Sequence, residues 1–270
     1  MEKECIEGVI LVVSCQKHKE TRLKEFKLSK NEYALWKVIY VIGDFFLDQP
    51  YVFDENLLTI RCEDSYLHLL KKVILAITIV FERYEIKQGI LRAGDDLVFN
   101  EELLKTFLGV DGKHDFWGYS PMRQSYVPKP EELQETRYDP FMVNYYMTHP
   151  EDLEHPQHNL KGIVIKDYMK RPRIMIGPEG TMYYISKRSC QIMMDHFQAI
   201  HYNIFHFDDF SQSYPYTIED CAVAYILYRN HISFVHNNHF VANIDLHVYH
   251  SPDFRIERYN TIAVATNKYK

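Results

Sequence analysis

The stretch LRAGDDLVFN (residues 91–100) starts apolar, breaks at Gly94, sets two carboxylates side by side and resumes with Leu97-Val98-Phe99. Adjacent like charges repel, and neither is stable in an apolar setting without a partner. The pair therefore needs a compensating positive charge or a place at a strand end facing solvent. Which of these holds depends on the elements around it.

Upstream, short β-branched runs alternate with helical patterns. GVILVVS (8–14), KVIYVIGD (37–44) and LLTIRCED (57–64) read as buried strands, and ILRAGDDLVF as a fourth strand cut by the acidic pair. A helix is expected within 28–35. From Asp64 to Tyr84, apolar residues recur at spacings of three and four: Tyr66, Leu69, Leu70, Val73, Ile74, Ile77, Val80 and Phe81. That spacing predicts an amphipathic helix, with Asp64 as its N-cap. EELLKTFL (101–108) predicts a short helix capped by Asn100. Strand–helix alternation of this kind indicates an α/β domain with a mainly parallel sheet. Ligands of such sheets bind beyond the carboxyl ends of the strands. Ser14, Asp44 and Asp95-Asp96 all fall there, which puts the acidic pair on the ligand-facing rim.

Residues 109–160 are dense in Pro, His, Tyr and acids, and read as a long irregular excursion over that face. Strands are then expected at 161–168 and, around a turn, at 173–186. Helices follow at 187–197 and at 217–230, the latter capped by Thr217. A short strand at 231–236 precedes a tail that is extended from residue 243. No internal repeat or low-complexity tract is visible.

Composition narrows the partners. The 270 residues carry a net charge of -6, which argues against a nucleic acid gripped by charge but leaves room for a small anion in a local basic pocket. The five cysteines include no CxxC pair and read as free thiols of a reducing compartment. No signal peptide is apparent, and the apolar runs at 8–14 and 73–80 are too short to span a bilayer. The expected location is cytoplasmic. Tyr and His are plentiful and suit polar, ring-shaped ligands such as sugars.

Three clusters could carry chemistry. Asp95-Asp96 suits a divalent metal completed by substrate phosphate, or else is a solvated turn. Glu219-Asp220 opens a helix, where acids are favoured by the helix dipole, but one of them could be a general base. Histidines 231, 236, 239, 247 and 250 crowd the C-terminal fifth without zinc-finger spacing. GPEGTMYYIS (177–186) is by itself only a turn before a strand.

Taken in order, these clusters resemble the inverting β1,3-glycosyltransferases of GT-A fold, which include β1,3-galactosyltransferases, β1,3-N-acetylglucosaminyltransferases and Fringe-type enzymes. The family's D-x-Y-x-N-L-T-x-K is matched by DSYLHLLKK, keeping Asp64, Tyr66, Leu69 and Lys72. Its K-x-D-D-D-V-F-V-N is matched by RAGDDLVFN, keeping Asp95, Asp96, Phe99 and Asn100. EGTMYYIS resembles S-G-x-G-Y-x-x-S at Gly180, Tyr183 and Ser186. Glu219-Asp220-Cys221 stands for E-D-V, and VYHSP for the terminal V-H-S at His250. The chain departs from the pattern at His68, Gly94 and Met182, and 120–172 has little that aligns.

The resemblance implies one GT-A domain over 1–270, with a nucleotide-sugar-binding half at 1–108 and an acceptor and catalytic half at 109–270. It implies that Asp96 and His250 hold Mn or Mg, with Asp95 assisting or touching the donor. Ser14, Cys15, Asp44, Asp64 and Tyr66 would line the donor pocket, and Arg22 and Lys72 would neutralise phosphate. Trp117, Tyr119, Gly180 and Glu219 would meet the acceptor, and Asp220 would be the base of an inverting displacement. The expected substrates are a nucleoside diphosphate sugar, UDP-linked, and a glycan or glycoprotein hydroxyl. An anchor-free form suits a bacterial pathway, or a virus acting in host cytoplasm. The alternatives are a glycan-binding or scaffold protein on a decayed transferase fold, motivated by Gly94, and a metal-dependent phosphohydrolase.

Overall fold

The acidic pair marks the point where the chain changes sheets. In the computed structural model, described over residues 3–26, 28, 33, 35–133, 136–138, 140–168, 170–172, 176–200 and 216–266, strand β5 (Tyr84–Gly94) ends one residue before the pair and β6 (Leu97–Phe99) starts one residue after it. β5 belongs to an eight-stranded sheet and β6 to a separate three-stranded one. The apolar run is therefore two strands in two layers, and Asp95-Asp96 fills the crossing.

The large sheet has the order β11-β7-β10-β5-β1-β2-β4-β3. Its members are β1 (Glu4–Val13), β2 (Trp36–Gly43), β3 (Tyr51–Asp54), β4 (Leu57–Ile60), β5, β7 (Phe116–Gly118), β10 (Met182–Ser186) and β11 (Val235–His236). β1 pairs parallel with both β2 and β5, and β2 parallel with β4, while β3 and β10 run against their neighbours. The fold is α/β with a mainly parallel central sheet. Strands from both halves of the chain interleave in it.

Both faces of the sheet are covered, which is why β1 and β2 are nearly continuous apolar runs. Successive side chains point to opposite faces. Val9, Leu11 and Val13 join one core with α2 (Leu69–Arg83), α6 (Lys187–Ala199) and α7 (Glu219–Arg229). Ile10 and Val12 join the other with α3 (Glu101–Leu108) and with the small sheet of β6, β12 (Val241–Ile244) and β13 (Ala263–Thr266). Each fully buried Leu, Ile or Val contributes about 1.5–3 kcal/mol. A third, smaller core lies under α4 (Phe141–Thr148) and includes Leu67, Met142, Tyr146 and Leu160.

Several expectations are met and others corrected. Asn100 caps α3 by accepting the Leu103 N–H at 3.3 Å. Asp64 is not a helix cap: Ser65 accepts the His68 N–H at 3.3 Å, a 3-10 turn covers Tyr66–His68, and α2 follows. Thr217 is not a cap either, since α7 starts after Ile218. Residues 161–168 hold a 3-10 turn at Ile165–Tyr168 in place of a strand, and the tail is not extended throughout but forms β12, α8 (Leu246–Tyr249), a 3-10 turn at Ile256–Arg258 and β13. The stretch 109–160 is more ordered than expected because β7 joins the large sheet and α4 has its own core. Most of the helix expected at 28–35, and residues 173–175 of an expected strand, lie outside the described residues. The five cysteines carry no disulfide, and among the described residues no helix is long and apolar enough to cross a membrane.

Close packing at the sheet centre is testable at Gly89, which opposes Gly8 on β1 and Ser186 on β10. A Cβ there would lie 2.8 Å from the Ser186 Cα, inside any real contact distance. Gly89→Ala is expected to cost about 1–3 kcal/mol, read as a lower urea midpoint. An unchanged midpoint would contradict this packing.

Candidate active site

The carboxyl ends of β1, β2 and β5 stand side by side, because Val13 pairs with Gly94 and with Val41. The residues that follow these strands therefore meet: Ser14 and Cys15 after β1, Asp44 after β2, and Asp95-Asp96 after β5. The first α-helical turn downstream of β1, α1 (Arg22–Glu25), adds Arg22.

Asp95 is buried and fully engaged. Ser14 Oγ donates to its Oδ2 at 2.6 Å, His18 Nδ1 to the same oxygen at 3.1 Å, and Arg22 to Oδ1 at 3.1 Å. Burial pushes the Asp95 carboxyl up, but the His18 and Ser14 bonds and the Arg22 charge together outweigh it and hold the group at about 2. Burial likewise pushes the His18 imidazole down, and its bonds to Asp95 and to Cys15 (3.3 Å) outweigh that and raise it to about 9. His18 is thus an imidazolium at neutral pH.

Asp64 ties two strand exits to α2. It accepts the Gln16 N–H at 2.6 Å, the Gly43 N–H at 2.9 Å and the Lys72 ammonium at 2.7 Å. Lys72 also donates to the Ser14 carbonyl at 2.5 Å. Both members of this ion pair are buried, so the Lys72 charge is held inside rather than presented at the surface. Asp44 accepts the Phe46 N–H and the Gln157 side-chain N–H, both at 3.0 Å. Gln157 in turn accepts the Phe45 N–H at 2.7 Å and, through its carbonyl, the Asp64 N–H at 2.9 Å.

Across the rim, Arg92 is buried on β5. It donates to the Gly180 carbonyl and lies 3.4 Å from Glu219, which also accepts the Tyr183 hydroxyl. Asp220, next along α7, accepts the Cys221 N–H at 2.7 Å. A Cβ at Gly180 would lie 3.0 Å from Asp220 Oδ2, so glycine is what lets the 180 turn approach the acid. Burial raises the pKa values of Glu219 and Asp220. Tyr66 lies on the 3-10 turn after Asp64, within electrostatic reach of both acids.

The Asp96 pKa is raised, first by burial and then by the Asp95 charge. Among the described residues Asp96, like Asp220, forms no ion pair. Its backbone carbonyl accepts the Thr266 N–H at 3.0 Å. β12 ends at Ile244, which pairs with Thr266, so the segment from Asp245 to His250 leaves the small sheet at the edge where Asp96 sits. His250 closes α8, is exposed and has its ring 5.1 Å from that of Tyr249. Among the described residues, no three His, Cys, Asp or Glu side chains converge as a metal cage.

Trp117 and Tyr119 stand elsewhere in character. The Trp117 indole packs against Phe107, Phe240 and His114 within the second core, with centroids 5.5, 5.7 and 5.0 Å away. Tyr119 is half-buried, its ring 5.5 Å from that of His236. Three further residues are central to the rim: His18, Arg92 and Gln157. A charged residue in the middle of the apolar run ILRAG was a usable signal for Arg92. Nothing local marks the other two.

No family model matches the chain. No curated protein matches it either. Among solved structures, the chain is similar to the galactosyltransferase LgtC in complex with donor and acceptor sugar analogues, at a TM-score of 0.38 and 9% identity over 96% of this chain and 86% of that one. It is also similar to mouse xyloside xylosyltransferase 1, apo form, at a TM-score of 0.38 and 8% identity over 97% of this chain and 98% of that one.

The His18–Asp95 pair has a pH signature. The raised imidazole stabilises the fold fully below its ordinary 6.5 and loses that contribution as pH climbs through about 9. The lowered carboxyl contributes above its ordinary 3.8 and loses that as pH falls towards about 2. Urea midpoints of the wild type are therefore expected to fall between the two His18 values, and His18→Gln to flatten that segment. Parallel curves for the two proteins would contradict the pairing.

Proposed function

We propose that the protein is a metal-dependent glycosyltransferase of GT-A type, moving a sugar from a nucleoside diphosphate donor to a glycan hydroxyl. The observation that supports this reading is Asp96: a partly buried acid at the carboxyl edge of the parallel strands, beside the Asp95 charge and, among the described residues, without an ion pair. A divalent cation, Mn or Mg, held by Asp96 with His250 would supply positive charge against the diphosphate leaving group.

The chain's own residues supply the rest. Asp95, locked by Ser14, His18 and Arg22, presents a fixed rim for the donor ribose or sugar. Asp64 and Lys72 fix the Ser14–Gln16 turn, and Gln157 fixes the Asp44 turn, so the donor pocket is pre-shaped. Asp220 accepts the proton of the attacking acceptor hydroxyl, and its raised pKa makes it a better proton acceptor than an ordinary surface carboxylate. Arg92 holds Gly180 and Glu219 and so positions Asp220. Attack assisted by Asp220 from the face opposite the diphosphate inverts the anomeric centre.

The test is release of nucleoside diphosphate from UDP-glucose, UDP-galactose, UDP-N-acetylglucosamine and UDP-xylose, with and without Mn and with simple glycan acceptors. Asp220→Asn is expected to lower kcat by roughly 10²–10⁴ with donor KM nearly unchanged, and Asp96→Ala to abolish the response to Mn. Proton NMR of the product should show the inverted anomer. Absence of metal-dependent release with every donor defeats the reading, and unimpaired transfer by Asp220→Asn defeats the assignment of the base.

A further inference from the structure

We infer that the aromatic surface of Tyr66, Phe141 and Tyr145 is a subsite for a neutral pyranose ring of the acceptor. The inference rests on the transferase reading for the role of that sugar, though not for its binding.

Leu67, Met142, Tyr146 and Leu160 are buried in the third core, and Tyr145 and Ile218 pack against them. Leu67 follows Tyr66, and Ile218 precedes Glu219-Asp220. One small apolar cluster thus fixes the aromatic surface and the start of α7 to each other.

The rings form a continuous slab. Tyr66 and Tyr145 have centroids 5.2 Å apart with planes at 32°, and Tyr66 and Phe141 are 5.7 Å apart at 48°. Tyr145 stacks on His149 at 4.5 Å and 16°, and its hydroxyl donates to Asp152 at 2.8 Å, so the slab is held from behind. Tyr66 is nevertheless 39% exposed and Phe141 45% exposed. A single exposed ring is ordinary, but adjoining exposed rings beside a reactive acid mark a binding surface. The Tyr66 phenol is raised by burial and then by the Asp220 and Glu219 charges, so the residue lies within electrostatic reach of both acids.

The chemistry selects the ligand. An aromatic face carries partial negative charge and suits the C–H face of a sugar ring. The hydroxyls around that ring suit the carboxylate of Asp220. A nucleotide's phosphates there would meet the Asp220 charge with the nearby Arg92 already paired to Glu219, so a nucleotide is a poor occupant. The patch of a few rings is far smaller than a stable protein interface. Trp117, whose residue type also suits stacking on sugars, is half-buried and packs against the second core.

Saturation-transfer NMR on the full chain tests this, using methyl β-D-glucopyranoside, methyl β-D-galactopyranoside and methyl N-acetyl-β-D-glucosaminide, with UDP as a separate probe. At least one glycoside should receive saturation. Tyr66→Ala and Phe141→Ala should each weaken that signal about threefold or more, as loss of an aromatic contact implies, while Tyr66→Phe keeps it and UDP signals stay unchanged. Phe141 is at the surface and Tyr66→Phe preserves the ring, so a misfolded Tyr66→Ala does not decide the outcome. Saturation of no glycoside, equal saturation in Phe141→Ala, or dependence of UDP alone on Phe141 would overturn the inference. If the chain transfers no sugar at all, the glycoside signals still decide whether the subsite exists.

Discussion

A carboxylate taken out of water needs a positive partner, and this rim takes several out of water at once. Asp64 has Lys72, Asp95 has His18 and Arg22, and Glu219 has Arg92. Each pairing joins different elements: Lys72 reaches from α2, His18 and Arg22 from the β1 exit, and Arg92 from the middle of β5. The positions of the strand exits therefore depend on how the acids are neutralised. Among the described residues Asp96 and Asp220 form no ion pair, and Asp96 also has the Asp95 charge beside it.

The setting of Asp96 has a structural origin. The chain leaves the large sheet at Gly94 and enters the small one at Leu97, with Asp95 and Asp96 alone in the crossing. The backbone of the crossing is held instead by Thr266, whose N–H and hydroxyl both bond the Asp96 carbonyl at 3.0 Å. The backbone is fixed while the carboxylate keeps its ligand capacity. The same small sheet brings the start of the His250 segment to that edge, so residues far apart in sequence share one border.

What was legible in the sequence was what is local or periodic. The α/β alternation, the amphipathic run of α2, the Asn100 cap and the place of Ser14, Asp44 and Asp95-Asp96 at strand ends all follow from neighbours a few residues away. Asp64 was misread as a cap because its position before an apolar-periodic run looks like one, whereas its partners lie at Gln16, Gly43 and Lys72. Residues 161–168 and the tail carry β-branched residues but pair differently, since propensity yields to tertiary context. Trp117, expected from its residue type at a sugar, is half-buried and packs against the second core. Gln157 was beyond reach, because its two turns are at Asp44 and Asp64 and nothing in the intervening sequence signals them.

The central claim is that Asp96 awaits a divalent cation brought together with a diphosphate. Titration calorimetry of UDP into the wild type and into Asp96→Asn, each with and without Mn, tests it most directly. The account predicts that Mn tightens UDP binding to the wild type by roughly tenfold or more, about 1.4 kcal/mol per tenfold, and that Asp96→Asn removes that gain. UDP binding that is indifferent to Mn, or a Mn effect that survives in Asp96→Asn, would contradict it.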